Sequence, residues 1–284
     1  MFSAMNCPKQ QAAKSRETSF DVIKMKISCL QMNMILNSPD ENFTNAKKLI
    51  EKAAVQGTDT VILPETWNTG FFPKDNLELY CDIDGLRVKD EIGSLAKEYN
   101  INIIAGSVSN VKNGTVYNTS YVFSRNGECV AEYDKTHLFT PMHEDHYYKK
   151  GDHLCRFELD GYICGVLICY DIRFPELTRK LCVQGLDLLF LVSQWPKIRI
   201  NHLLTLTKAR AIENQIFVAN CNSCGTAGDT VYGGNSSVHD PWGQTLVLAG
   251  EHEEIITAEC DLSVLNEIRK TINVFADRRV ELYK

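Results

Sequence analysis

The sequence predicts an α/β protein made of two similar halves, each a mixed β-sheet with helices on its outer face. Three observations point there. Strand-like and helix-like patterns follow the order β-α-β-α and then hairpins, and that order recurs once along the chain. Several strand patterns are apolar throughout, as expected of strands covered on both faces. Arg125-Asn126-Gly127 lies between two strand patterns, and Asn-Gly in that place signals a tight hairpin. The sheets are therefore mixed, and two such halves leave sheet packed on sheet in the middle.

The bulk composition allows a large core. The chain has 284 residues, 44% hydrophobic and 23% charged, which is ordinary for a globular enzyme-sized chain. A core of that size needs no staples. The net charge of −6 leaves no electrostatic footprint for nucleic acid. No apolar run approaches the roughly 18 residues of a membrane span. Eleven cysteines, an odd number and mostly inside apolar stretches, argue for reduced thiols and a cytoplasmic location. Cys221 and Cys224 form a lone CxxC without a second pair, a poor zinc or redox signal.

Residues 1–24 are polar with no apolar signal segment, and Met25 reads as a second possible start. That lead-in is expected to be an extension outside the fold, with 25–284 forming a single domain. Residues 26–32 alternate like a strand. Ser38 and Pro39 mark a helix start by capping and first-turn preference. Phe43, Ala46, Leu49, Ile50 and Ala53 make one helical stripe, and Gly57 ends it. Residues 60–63 are a short buried strand ending at Pro64-Glu65-Thr66-Trp67. A second helix is expected at 90–99, strands at 102–105, 117–123 and 128–133, and an irregular loop dense in ionisable groups at 134–150. The second half reads as strand 187–192, helix 199–214, then strands at 215–220, 236–239, 245–248 and 254–259. A final helix at 261–269 is capped by Asp261.

Residues 161–177 (GYICGVLICYDIRFPEL) organise the rest. An apolar run stops at Cys169-Tyr170-Asp171, and Pro175 then opens a helix. The thiol thus stands at the carboxyl end of a buried strand, where α/β folds bind ligands. A helix beginning just beyond offers backbone N–H groups to developing negative charge. A buried structural cysteine is the plain alternative. Glu65 and Lys135 also follow strand patterns. A free thiol of pKa about 8.5 is only a few per cent thiolate at neutral pH and needs a base. A carboxylate supplies one and a cation holds the oxyanion. His137, His143, His146 and His153 keep a Cys-His hydrolase open. His143-Glu144-Asp145-His146 is not the H-E-x-x-H zinc pattern, so no metal is expected.

Three segments, Pro64-Glu65, Asp134-Lys135-Thr136-His137-Leu138-Phe139 and Ile168-Cys169-Tyr170-Asp171-Ile172-Arg173-Phe174-Pro175-Glu176, resemble the signature segments of the nitrilase superfamily of carbon–nitrogen hydrolases. The order Glu, Lys, Cys matches, and the likeness runs over about residues 25–280, most like the ω-amidase branch. The resemblance implies a four-layer α-β-β-α sandwich of two mixed sheets with outer helices. It implies Glu65 as general base, Lys135 as oxyanion stabiliser, Cys169 as nucleophile and the Tyr170 N–H as second oxyanion donor. It implies a second glutamate, Glu144, with Asp145 as its competitor. It implies no cofactor, and a homodimer or larger homo-oligomer.

The expected reaction is cysteine-dependent hydrolysis of a non-peptide C–N bond through a thioester, with release of ammonia. The substrate implied is a short dicarboxylate monoamide of the 2-oxoglutaramate or 2-oxosuccinamate type. Arg173 could meet its carboxylate or instead pair with Glu176 or another carboxylate. Trp195 could wall the pocket or belong to the core. Other superfamily amidase, carbamoyl, nitrile or acyl-transfer chemistry, a Cys-His hydrolase, a metallohydrolase and an inactive binding protein remain as alternatives.

Overall fold

A computed structural model describes residues 24–70 and 76–283. All of the expected lead-in except Lys24 lies outside the described residues. The first half comprises β1 (Met25–Gln31), α1 (Pro39–Val55), β2 (Thr60–Ile62), β3 (Asp82–Ile83), α2 (Gly93–Tyr99), β4 (Asn102–Ile104), β5 (Val108–Lys112), β6 (Thr115–Phe123) and β7 (Cys129–Asp134). The second comprises β8 (Arg156–Leu159), β9 (Tyr162–Ile168), α3 (Pro175–Cys182), β10 (Leu188–Ser193), α4 (Ile200–Asn214) and β11 (Phe217–Asn222). There follow β12 (Cys224–Ala227), β13 (Thr230–Gly233), β14 (Ser237–His239), β15 (Thr245–Leu248), β16 (Glu254–Cys260) and α5 (Leu265–Thr271).

Two mixed sheets result. The first runs β16-β1-β2-β4-β6-β5-β3, with β7 also on β6; the second runs β15-β14-β11-β10-β9-β8. β1, β2 and β4 are parallel, as are β9, β10 and β11. Antiparallel strands flank both sets. The last strand leaves its own half: β16 pairs with β1 from Met25↔Cys260 to Gln31↔Glu254.

Side-chain alternation sorts the first sheet's residues between two cores. Ile27, Cys29, Ile62, Ile104 and Val122 join the core shared with the second sheet. Leu30, Val61, Leu63, Ile103, Tyr121 and Phe123 face α1 and α2. Helix, sheet, sheet and helix therefore stack as an α-β-β-α sandwich. Each fully buried aliphatic or aromatic side chain contributes about 1.5–3 kcal/mol.

Some local readings differ. Ser38 stands at the helix start but its side chain does not cap; it donates to Leu36 O at 3.4 Å. Asn42 takes over that corner, accepting from Ile35 N at 2.8 Å and donating to Ile35 O and Asn68 O at 2.7 and 3.0 Å. The helix expected at 90–99 starts earlier, as a π-helical turn over Val88–Ile92. Strands β3, β5, β8, β12 and β13 were not foreseen. β5 buries Ser109 and Asn110, so it lacks apolar alternation, and β12–β13 is rich in Gly and Thr. Asp261 does cap its segment, accepting from Ser263 N at 3.1 Å. Among the described residues no helix is long and apolar enough to cross a membrane.

Gly106 decides how Glu65 leaves its strand. It has φ +59, and an added Cβ would stand 2.1 Å from Pro64 O. Gly106→Ala should lose about 2–4 kcal/mol through overpacking and left-handed strain. The denaturant midpoint measures that loss.

Candidate active site

Three strand ends meet where the sheets face each other. Glu65 follows β2 on a turn held from both sheets: Glu65 N donates to Ser193 O of the opposite sheet at 3.3 Å, and Thr66 N donates to Ser107 Oγ of its own half at 2.9 Å. Lys135 is the residue after β7, and its N–H donates to Asn118 O on β6 at 2.9 Å. Its carbonyl accepts from Gly151 N at 2.9 Å, which closes the loop that carries Glu144. Cys169 opens a 3₁₀ turn, Cys169–Arg173, directly after β9.

The Lys135 ammonium lies between two carboxylates, and all three side chains are fully buried. Its Nζ donates to Glu65 Oε1 at 2.7 Å and to Glu144 Oε1 and Oε2 at 2.9 Å each. Asn118 Nδ2 bridges the same acids, 3.0 Å from Glu65 Oε1 and 3.3 Å from Glu144 Oε1. Asp145 is exposed, so the loop turns Glu144 inward and its neighbour outward. The Cys169 thiol and the Glu65 carboxylate stand near enough to shift one another's proton affinity. Glu65 Oε2 nevertheless forms no well-aligned bond, as is common before substrate tightens a site.

The backbone is strained at this junction. Cys169 has φ +50, Thr66, next to Glu65, has φ +41, and His143, before Glu144, has φ +61. Residues other than glycine hold that region only where surrounding structure compels it.

Burial governs the protons. It raises the Glu65 carboxyl above its ordinary range, with Lys135 opposing and Glu144 reinforcing. Burial likewise lifts the Cys169 thiol, and Glu65 lifts it further against the pull of Lys135. For Lys135 burial acts downward, but Glu144 and then Glu65 outweigh it, so the ammonium titrates well above its usual value. At neutral pH the site holds a neutral thiol and a fixed ammonium.

Asp171 had no assigned role from sequence, yet it joins the two loops. Fully buried, it accepts at Oδ2 from Tyr133 Oη at 2.8 Å and Ile168 N at 3.1 Å. At Oδ1 it meets Thr136 Oγ1 at 3.0 Å and His137 N and Nδ1 at 2.9 Å each. His137 is thereby engaged with Asp171 and stacked on Phe174, ring centroids 3.8 Å apart. His143 and His146 stack on one another, and His153 Nε2 lies 3.1 Å from Glu132 O. Glu65, not a histidine, is the ionisable neighbour that acts on the Cys169 thiol. Among the described residues no three His, Cys, Asp or Glu side chains gather as metal ligands.

Cys169 also lines a cavity of about 550 Å³ with Phe139, Tyr170, Arg173, Trp195 and Tyr232. Arg173 makes no ion pair among the described residues, so the expected alternative with Glu176 is absent. Its guanidinium lies 4.5 Å over the Trp195 ring, and Nη2 is 3.3 Å from His202 Nδ1. Trp195 is only 3% exposed, belongs to the core and also lines the cavity. Asn222 Oδ1 accepts from Trp195 N at 2.7 Å and holds that segment in place.

A family model described as carbon-nitrogen hydrolase matches residues 26–270. The chain belongs to the carbon–nitrogen hydrolase family. Among the relatives of this carbon–nitrogen hydrolase, 2-oxoglutaramate amidase of Bacillus subtilis (strain 168) is 43% identical, over 92% of this chain and 100% of that protein. Omega-amidase NIT2 of Homo sapiens is 33% identical, over 91% and 96%. Among solved structures, Saccharomyces cerevisiae Nit3, a member of branch 10 of the nitrilase superfamily, superposes with a TM-score of 0.84. It is 28% identical and covers 90% of this chain and 97% of that one.

Lys135→Met would leave two buried carboxylates without their cation, costing roughly 3–5 kcal/mol at neutral pH. Without the lysine, burial lifts Glu65 further above its unfolded value of about 4.3. Stability should therefore fall as pH rises past that value and recover in part on acidification. Denaturation of the variant and the parent protein at two pH values checks both the size and the sign.

Proposed function

We propose that this carbon–nitrogen hydrolase cleaves the primary amide of a short dicarboxylate monoamide, of the 2-oxoglutaramate or 2-oxosuccinamate type. The observation that carries the reading is the buried ammonium of Lys135 between Glu65 and Glu144, beside a thiol that opens onto a cavity. The names of the relatives above and the Arg173 guanidinium in the cavity support the substrate class.

Cys169 Sγ attacks the amide carbon while Glu65 takes the thiol proton. Transfer accompanies attack, because a bare thiolate beside an ionised Glu65 is held off by burial. The carbonyl oxygen becomes an oxyanion facing Lys135 Nζ and the Tyr170 N–H. Losing one such donor costs roughly 2.7–4 kcal/mol. Lys135 remains protonated and acts by charge alone. Glu144 and Asn118 keep its ammonium aimed. The tetrahedral intermediate collapses, Glu65 returns the proton to nitrogen, and ammonia leaves a thioester on Cys169. Water then gives a proton to Glu65 and attacks the thioester. Collapse expels the sulfur, which recovers the proton, and the free acid departs. Trp195 walls the cavity and Arg173 meets the substrate's far carboxylate. No cofactor enters these steps. A homodimer or larger homo-oligomer in the cytoplasm completes the reading, and the ten free cysteines among the described residues suit a reducing compartment.

Cys169→Ala should abolish ammonia release from an acid monoamide; full activity in that variant would end the assignment. Glu65→Gln should lose about 10²- to 10⁴-fold in kcat. The base must be ionised and its carboxyl is raised, so kcat/KM should fall on acidification through a pH above the ordinary value of about 4.3. An acid limb at or below the ordinary value would contradict the buried-base mechanism.

A further inference from the structure

Among the described residues three cations line the cavity: Arg173, Lys197 and Arg199. Lys197 is balanced, with Nζ 2.6 Å from Glu251 Oε2. Neither arginine makes an ion pair among the described residues. Arg199 ends a single 3₁₀ turn, Lys197–Arg199, just before α4, and its guanidinium lies 5.2 Å over the Phe139 ring. Arg173 lies over Trp195 from the other strand end. Burial pulls the Arg173 guanidinium below its usual range, and Arg199 adds to the effect. The two like charges line one cavity, and among the described residues neither is paired with an anion. Among the described residues Asp229 is the one carboxylate in the lining, and it pairs with neither.

Stacking on an aromatic face favours each cation and leaves the N–H edges of the guanidinium open. Elsewhere the lining is largely apolar, with Met142, Pro196, Ile198 and Val231 among it. Two half-buried guanidiniums sharing such a space repel unless a ligand supplies negative charge.

We propose that Arg199 is a second specificity-determining residue, which with Arg173 forms a clamp for the carboxylate of the substrate at the end remote from Cys169. This rests on the amide-hydrolase reading for the identity of the substrate, but the clamp itself is an anion site and is testable by binding alone. Arg173 comes from the nucleophile's own turn and Arg199 from the segment after β10, so the clamp ties anion recognition to the position of the thiol. A ligand with one carboxylate gains both guanidiniums; its neutral diamide analogue gains neither charge. An amino-acid amide adds an ammonium to a cavity that already holds two unpaired cations, and is disfavoured.

The test uses the full chain and two probes. Calorimetric binding of a short saturated dicarboxylate, such as succinate, should weaken about 10- to 100-fold in Arg199→Gln. Arg199→Lys, which keeps charge but not the planar fork, should fall between the two. In turnover, the ratio of kcat/KM for succinamate to that for succinamide should drop by a similar factor in Arg199→Gln. Unchanged dicarboxylate affinity in both variants, or equal losses for succinamate and succinamide, would overturn the clamp. A parent protein that binds succinate in an Arg199-dependent way but releases no ammonia from either amide would count against the catalytic reading and for the clamp.

Discussion

The buried ammonium of Lys135 is the constraint on which the site depends. Two carboxylates with no access to water cannot both stay ionised unless a cation lies between them, and one buried lysine cannot keep its charge without them. The three groups hold one another in their charged or poised states at separations of 2.7 to 2.9 Å. The same arrangement leaves the site one negative charge in excess, and burial turns that excess into a raised Glu65 and a neutral Cys169. Proton affinity of the base and reserve of the nucleophile thus come from a single act of desolvation.

The fold exists in this region to bring three strand ends together without leaving their backbone groups unpaired. Glu65 N reaches Ser193 of the opposite sheet, Lys135 is held on β6 and by Gly151, and Asp171 gathers five donors from both loops. Strain at Thr66, His143 and Cys169 accompanies these closures. Such strain persists because the sheet-on-sheet core and the hydrogen bonds around it over-determine the local conformation. The cavity side of the site is built differently, from aromatic faces and two unpaired guanidiniums, and it governs what approaches the sulfur rather than what happens there.

Much of the architecture was legible in the sequence. The runs before Cys169 and at 188–193 are apolar on both faces and could only be covered strands. Asn126-Gly127 marked its hairpin. What escaped was polar or short: β5 hides Ser109 and Asn110 inside, and the β12–β13 hairpin carries no apolar period. Ser38 looked like a cap because its residue type and place were right, but Asn42 one turn on satisfied that corner through longer reach. The family resemblance put Glu144 ahead of its neighbour Asp145 without deciding between them. Only the left-handed kink at His143 and the turn after it bury one and expose the other.

By itself the sequence determined the periodicities, and through them which segments are strands, which face of each is covered, and which chemically able residues stand at strand ends. It also carried the family likeness in three short segments. The tertiary structure alone decided who meets whom: Asn118 bridging two acids, Asp171 joining two loops, Trp195 as wall and core together, Arg199 and Arg173 lining one cavity. The reason is physical. Alternation along a strand encodes burial, a property each residue has singly. Pairing across two sheets, and the proton affinities that follow from it, depend on distances between residues tens of positions apart, which exist only once the sheets have closed on each other.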